Sequence, residues 1–389
     1  VKPVQRFGAR FAIPVYLGFV LTGVVTTLLG PLLPILSLRW SLTDGQAGGL
    51  FTAQFAGSVL GAVLTAWLLP KSGHRLAFGM GFLLMAMGIG MLALGAKSFG
   101  MAGIVGYGLG QGVTIPVSNL LVSERDPQRR ASVLNLLNFA WGIGAVVCPF
   151  FIASANRAGN LFGWLLGLAV MLGMVALCAG LLTSPEPRSS HHQDSESSWG
   201  RRRGTVAFVL GALFFLYVGT ETALGGWVTS HAKRTDASHL RIWVFAPALF
   251  WGSLLLGRAL APLFLHWLAE RRLVVLDLLL AGSGIVILLT AGSGQGILIG
   301  SAVAGFGLSS VFPITIALLS CLGSKTARAA GLLFALGGLG GAIVPWLVGL
   351  AAMHSGSLRA ALVLPLIAVV LMTALHLLVA APADADSFN

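Results

Sequence analysis

The sequence predicts an all-α membrane protein of twelve transmembrane helices, arranged as two six-helix halves that repeat each other in the same orientation. Three observations predict it: an apolar composition, a regular succession of apolar runs, and a glycine and proline pattern that recurs at one offset. Hydrophobic residues make up 56% of the 389 and charged residues 9%, with a mean hydropathy of +0.90. Soluble domains carry about 25% charged residues, so a soluble enzyme or binding module is excluded. The net charge of +12 would suit a nucleic-acid partner, but the charges sit in short loops between apolar runs. Topology, not nucleic acid, is the reading.

A helix needs ~20 apolar residues to cross the hydrocarbon core, and only helices or closed barrels satisfy their backbones there. Runs of that kind lie at 12–38, 47–70, 77–96, 100–124, 131–155 and 160–183, then at 205–231, 242–268, 273–292, 296–322, 328–353 and 358–380. They are continuous and do not alternate, which argues against a barrel. The first run continues through Pro31 and Pro34 without a small-residue cleavage site, so it is expected to be a retained span. Of 24 Lys and Arg, 16 fall in one set of alternate loops and the termini, 7 in the other set, and Arg258 inside a span. The positive-inside rule then places both termini in the cytoplasm, with the cytoplasmic (inner) membrane as the expected location. The Pro, Ser and charge-rich stretch 184–204 reads as a cytoplasmic linker between an N-terminal half (1–183) and a C-terminal half (205–389).

The halves resemble each other. At an offset of 196, Gly142, Gly144 and Pro149 fall on Gly338, Gly340 and Pro345; at 197, Gly108, Gly110 and Pro116 fall on Gly305, Gly307 and Pro313. Basic loops at 71–75 and 271–272 also correspond. Two parallel repeats of six spans are the plan of major facilitator transporters, in which the solute site lies between the halves. Gly337, Gly338, Gly340 and Gly341 remove side chains and allow close helix approach, while the four prolines are expected to bend their helices.

Polar residues inside the spans are the candidates for function. Glu221 lies deep in span seven and is the candidate proton-coupling group, the structural alternative being a carboxyl that locks two helices. Asp277 in span nine and Arg258 in span eight are expected to form a structural ion pair. In span four, Gln111, Thr114 and Ser118 share a face with Asn119 beside them; in span five, Asn135, Asn138 and Trp141 recur at three-residue spacing. Such amides must find partners in lipid, and amides with a tryptophan suit a neutral polyol. Gln111, Thr114, Asn119, Asn135, Asn138, Trp141, Tyr217 and Trp227 are therefore the candidate substrate-binding residues, against the alternative of interhelical hydrogen bonding. Cys148, Cys178 and Cys321 have no ligand spacing, no Walker motif occurs, and the histidines lack metal-ligand neighbours. Neither metal nor cofactor is expected, nor a partner chain, so a monomer is.

The segment Tyr217-Val-Gly-Thr-Glu-Thr-Ala-Leu-Gly-Gly-Trp227 resembles span seven of the fucose–galactose–glucose:proton symporter family within the major facilitator superfamily. Phe312-Pro313, Gly337-Gly-Leu-Gly-Gly and Trp251-Gly followed by Gly257-Arg258 are similar as well. The resemblance implies a secondary transporter, not an enzyme, that moves a monosaccharide or similar small polar solute by alternating access, with proton symport. One departure matters: members of that family carry coupling acids in spans one and four, whereas span one here has no acid and the comparable stretch of span four reads Gln111-Gly-Val-Thr-Ile-Pro116. Coupling through Glu221, or no coupling, remains, and sodium stays open as the driving ion. A drug or lipid exporter of the same fold and a non-transporting sugar sensor are the alternatives.

Overall fold

The computed structural model describes residues 9–125, 129–179, 201–235, 242–320 and 326–380; the expected linker 184–204 lies outside them except for 201–204. The described residues are nearly all helical. In chain order the helices are α1 (Ala9–Thr27), α2 (Leu29–Arg39), α3 (Asp44–Ala93), α4 (Lys97–Arg125), α5 (Arg130–Arg157), α6 (Leu161–Cys178) and α7 (Arg201–Thr235). Then follow α8 (Ile242–Phe264), α9 (Glu270–Thr290), α10 (Gly294–Gly307), α11 (Val311–Ser320), α12 (Thr326–Ser355), α13 (Leu358–Ala361) and α14 (Val363–Ala380).

Among the described residues nine stretches are long and apolar enough to cross a membrane, with α10 and α11, and likewise α13 and α14, counted as one stretch each, and ten with α1 and α2 taken as one span bent by 42°. Fifty residues of α3 would stretch ~75 Å as one straight helix, far more than a bilayer. Gly73, at φ 72° and ψ 169°, breaks it into two spans, a left-handed conformation that glycine adopts without a Cβ penalty. Glycine-rich α4 supplies the remaining crossing, giving twelve. Exposed side chains such as Leu60, Val63, Leu279 and Val370 are apolar, as a lipid-facing surface requires.

Span ten is interrupted. Its first helix α10 stops at Gly307, residues 308–310 form a turn, and α11 restarts at Val311. Pro313 explains the restart, because its ring clashes with the carbonyl four residues back and its missing N–H costs nothing in a first turn. By contrast Pro116, Pro149 and Pro345 lie within continuous helices.

The chain folds into two compact units, residues 1–29 with 53–190 and residues 30–52 with 191–389. In the first, α1 packs on α5, α4 and α6. In the second, α7 packs on α12, α8 and α14, and α10 on α8 and α9. Each set of close approaches is made at glycine. A Cβ on Gly144 would lie 1.9 Å from the Val20 carbonyl oxygen, and one on Gly340 would lie 2.0 Å from that of Phe215. Gly110 meets the Met85 backbone nitrogen and Gly307 that of Ala281, at 2.6 and 2.2 Å. The sequence repeat is thus a repeat of helix contacts, with α1 and α7 in register at an offset of 195 (Val20 with Phe215).

Residues 30–52 belong to spans one and two but pack within the second unit. Gly30 abuts the Gly225 carbonyl, Gly48 the backbone of Trp346, and Thr52 donates its hydroxyl to the Ala342 carbonyl at 2.8 Å. Arg234 of α7 grips both Asp44 carboxylate oxygens at 2.9 and 2.5 Å. Small residues in this segment let it lie flush on α7 and α12.

Candidate solute and coupling site

One turn of α7 places Tyr217 and Glu221 on the same face, four residues apart. Opposite them on α8 stands Arg258. The Tyr217 hydroxyl donates to Glu221 Oε1 at 2.9 Å; Arg258 Nη2 donates to the same oxygen at 3.0 Å and to the Tyr217 oxygen at 2.9 Å. From α11, the Phe312 ring lies 5.5 Å from the guanidinium carbon and 5.9 Å from the Tyr217 ring. Tyr217 is fully buried, while the Glu221 and Arg258 side chains keep 14% and 22% of their surface exposed. Arg258 Nε is buried without an acceptor among the described residues.

The expected pair of Arg258 with Asp277 is not what forms. Arg258 pairs with Glu221, because Tyr217 and Glu221 together offer two acceptors to one guanidinium nitrogen. Asp277 finds its own donors where span ten breaks, the backbone N–H of Ser310 at 3.3 Å and the Ser310 hydroxyl. The carboxylate caps the restart of α11 from a neighbouring helix and needs no cation.

The first unit holds a second polar cluster, without charge. Gln54 donates to Gln111 Oε1 and to the Thr26 carbonyl, both at 3.1 Å, and Gln111 donates to Thr26 Oγ1 at 3.2 Å. Trp141 Nε1 points at the same hydroxyl at 3.4 Å, and the Tyr107 hydroxyl lies 3.5 Å from Gln54 Oε1. Buried amides thus satisfy one another, as burial demands. Of the residues anticipated from sequence, Gln111 and Trp141 join this cluster. Thr114 is buried with an unpartnered hydroxyl in the contact with Gly81. Asn119 turns its amide back to the Ile115 carbonyl. Asn135 is exposed on α5, as is Asn138, whose amide donates to Leu134 of its own helix.

Tyr217 belongs to the charged cluster, whereas Trp227 does not reach it. Trp227 is fully buried, its N–H donated to the Pro345 carbonyl at 2.9 Å and its ring beside Phe51, so it serves as packing. Sequence reasoning missed Thr26 and Gln54. The repeat could have found Thr26, since the 195 offset between α1 and α7 sets it opposite Glu221 and sets Thr22 opposite Tyr217. No group of three or more metal-ligating side chains occurs among the described residues.

Known proteins with a similar sequence or fold include transporters. The family described as the Major Facilitator Superfamily matches residues 15–320. The glucose/mannose transporter GlcP of Bacillus subtilis is 23% identical over 86% of this chain and 86% of its own. In fold, a bacterial homolog of the human lysosomal transporter Spinster superposes with a TM-score of 0.75 at 16% identity, covering 97% of both chains. The E. coli fucose:proton symporter FucP superposes at 0.66 with 18% identity, covering 96% of this chain and 99% of its own.

Proposed function

The chain belongs to the major facilitator superfamily, a multi-pass membrane transporter, and from that premise we propose that it moves a monosaccharide or similar small polar solute in symport with a proton. The observation that carries the reading is the cluster of Tyr217, Glu221 and Arg258. An ionisable residue inside a membrane span is costly, and it is retained where ions or substrates pass. Protonation of Glu221 breaks its pair with Arg258 and changes what α7 and α8 hold between them, which couples proton uptake to helix movement. The nature of GlcP, a sugar transporter similar over most of its length, supports the solute class, and FucP supports the coupling ion by analogy.

The amide and aromatic groups of α5, Asn135, Asn138 and Trp141, are proposed as solute contacts in the first unit, and Tyr217 in the second. Exposure favours Asn135 and Asn138 over Gln111, whose bonding capacity is engaged with Gln54 and Thr26. The N-terminal half 1–183 and the C-terminal half 205–389 are read as the moving halves, joined by the cytoplasmic stretch 184–204, with both termini in the cytoplasm of a cell whose inner membrane holds the protein. The test is sugar uptake into proteoliposomes with and without an inward proton gradient. Uptake should follow the gradient in the native chain and lose that dependence in Glu221→Gln. Gradient-driven uptake that persists unchanged in Glu221→Gln removes the coupling role.

A further inference from the structure

Arg258 brings more hydrogen-bond donors to the cluster than Glu221 uses. Its two hydrogen bonds among the described residues both leave from Nη2, one to the Tyr217 hydroxyl and one to Glu221 Oε1. Nε is buried with no acceptor, and Glu221 engages the guanidinium through one oxygen only. A guanidinium facing a carboxylate ordinarily closes a two-bond fork, so this pairing is half made. The partial exposure of both side chains leaves the cluster open to a ligand.

Charge accounting follows from the proton coupling proposed above, on which this inference rests. Arg258 keeps its charge at any physiological pH. The titratable and charged groups facing Glu221 among the described residues are Tyr217 on its own helix and Arg258 on α8. From α11 comes the Phe312 ring, and α12 meets α7 through Gly337 and Gly340. Once Glu221 takes a proton, the charge on Arg258 faces only neutral groups inside a membrane span, an expensive state. A neutral sugar does nothing to compensate it. An anionic solute does, and it meets the unused donors of Arg258 as well.

We infer that the solute is a sugar acid, a monosaccharide bearing a carboxylate that takes the place of Glu221 on Arg258. Its hydroxyls bond to Tyr217, and the C–H face of its ring packs on Phe312. One proton on Glu221 and one anion on Arg258 then cross together with no net charge, so flux responds to the pH gradient and not to membrane potential.

The experiment is calorimetric titration of the purified full chain with glucuronate and with glucose, at acid and at neutral pH. Glucuronate should bind at least about tenfold tighter than glucose at acid pH, the equivalent of ~1.4 kcal/mol. Glu221→Gln, a neutral stand-in for the protonated acid, should hold that preference at both pH values, and Arg258→Met should abolish it. Equal binding of the two sugars by the native chain and by Glu221→Gln overturns the inference, as does a glucuronate preference that survives in Arg258→Met. The Glu221→Gln arm decides the matter if Arg258→Met does not fold. Glucose binding and proton-driven glucose uptake without discrimination defeat the sugar-acid inference and leave sugar symport standing. Binding of neither sugar defeats both.

Discussion

Replacing Glu221 by Leu leaves the Arg258 guanidinium without its ion partner and the Tyr217 hydroxyl without its acceptor. Two contacts are lost, at 3.0 and 2.9 Å. Removing one member of a buried pair costs about 3–5 kcal/mol, and the residual exposure of 14% and 22% brings solvent screening that favours the low end, about 3 kcal/mol. Arg258→Met should cost less, roughly 1–2 kcal/mol, because the carboxyl it leaves behind neutralises itself by binding a proton. The double variant replaces both charges by apolar groups of similar length, so it should recover much of the loss. The measurement is a double-mutant cycle on equilibrium unfolding midpoints in mixed micelles, with slopes checked for constancy. A coupling of roughly 2 kcal/mol is expected. Losses that add within about 0.5 kcal/mol would refute the pairing of Arg258 with Glu221.

Gly144→Leu and Gly340→Leu should each cost about 1–3 kcal/mol or abolish folding, since a Cβ there lies about 2 Å from a carbonyl oxygen of the facing helix. Gly173→Ala, which meets nothing within 4 Å, should stay within about 0.5 kcal/mol of the native chain in the same unfolding assay. Trp227→Phe removes the hydrogen bond to the Pro345 carbonyl, which stays within α12, and should lower stability by about 0.5–1.5 kcal/mol, with solute binding unchanged by calorimetry. Asp277→Asn keeps an acceptor for Ser310 and should be milder than Asp277→Leu; equal losses would show that the cap on α11 contributes nothing. The exposed Asp44–Arg234 pair should contribute only about 0.2–1 kcal/mol, and Asp44→Asn should show a smaller effect at high salt.

The spans were legible because lipid admits only helices or closed barrels, and continuous apolar runs without alternation leave the helix. The repeat was legible for a related reason. At Gly144 and Gly340 a carbonyl stands where a Cβ would be, which forces the same residue at the same place in each unit. Interactions among polar side chains were not legible in this way. Arg258 could have paired with Asp277 or with Glu221; the choice turned on Tyr217 one turn away and on Ser310, which meets Asp277 where span ten is interrupted. A helical face could be assigned to Asn135 and Asn138 from spacing, yet whether that face was packed or exposed depended on its neighbours. Gln54 and Thr26 escaped notice because neither belongs to a spaced polar face within its own run, and their roles exist only across the four helices α1, α3, α4 and α5.

The repeat also separates what the fold requires from what function adds. Glu221 and Thr26 occupy equivalent turns of α7 and α1, and at the 196 offset that joins Gly257 to Gly61, Arg258 falls on Ala62. The first unit therefore fills the same two positions with a hydroxyl and a methyl group. Its Thr26 is satisfied by the neutral donors of Gln111 and Trp141. The helix contacts survive without charge there, with the α1–α5 approach at Gly144 as close as the α7–α12 approach at Gly340. A carboxylate and a guanidinium are thus not needed to build this packing. Ion pairs removed from water stabilise little compared with apolar residues of the same volume. Their presence at these two positions in the second unit is what the proposed function would require, a proton and a solute held there in turn.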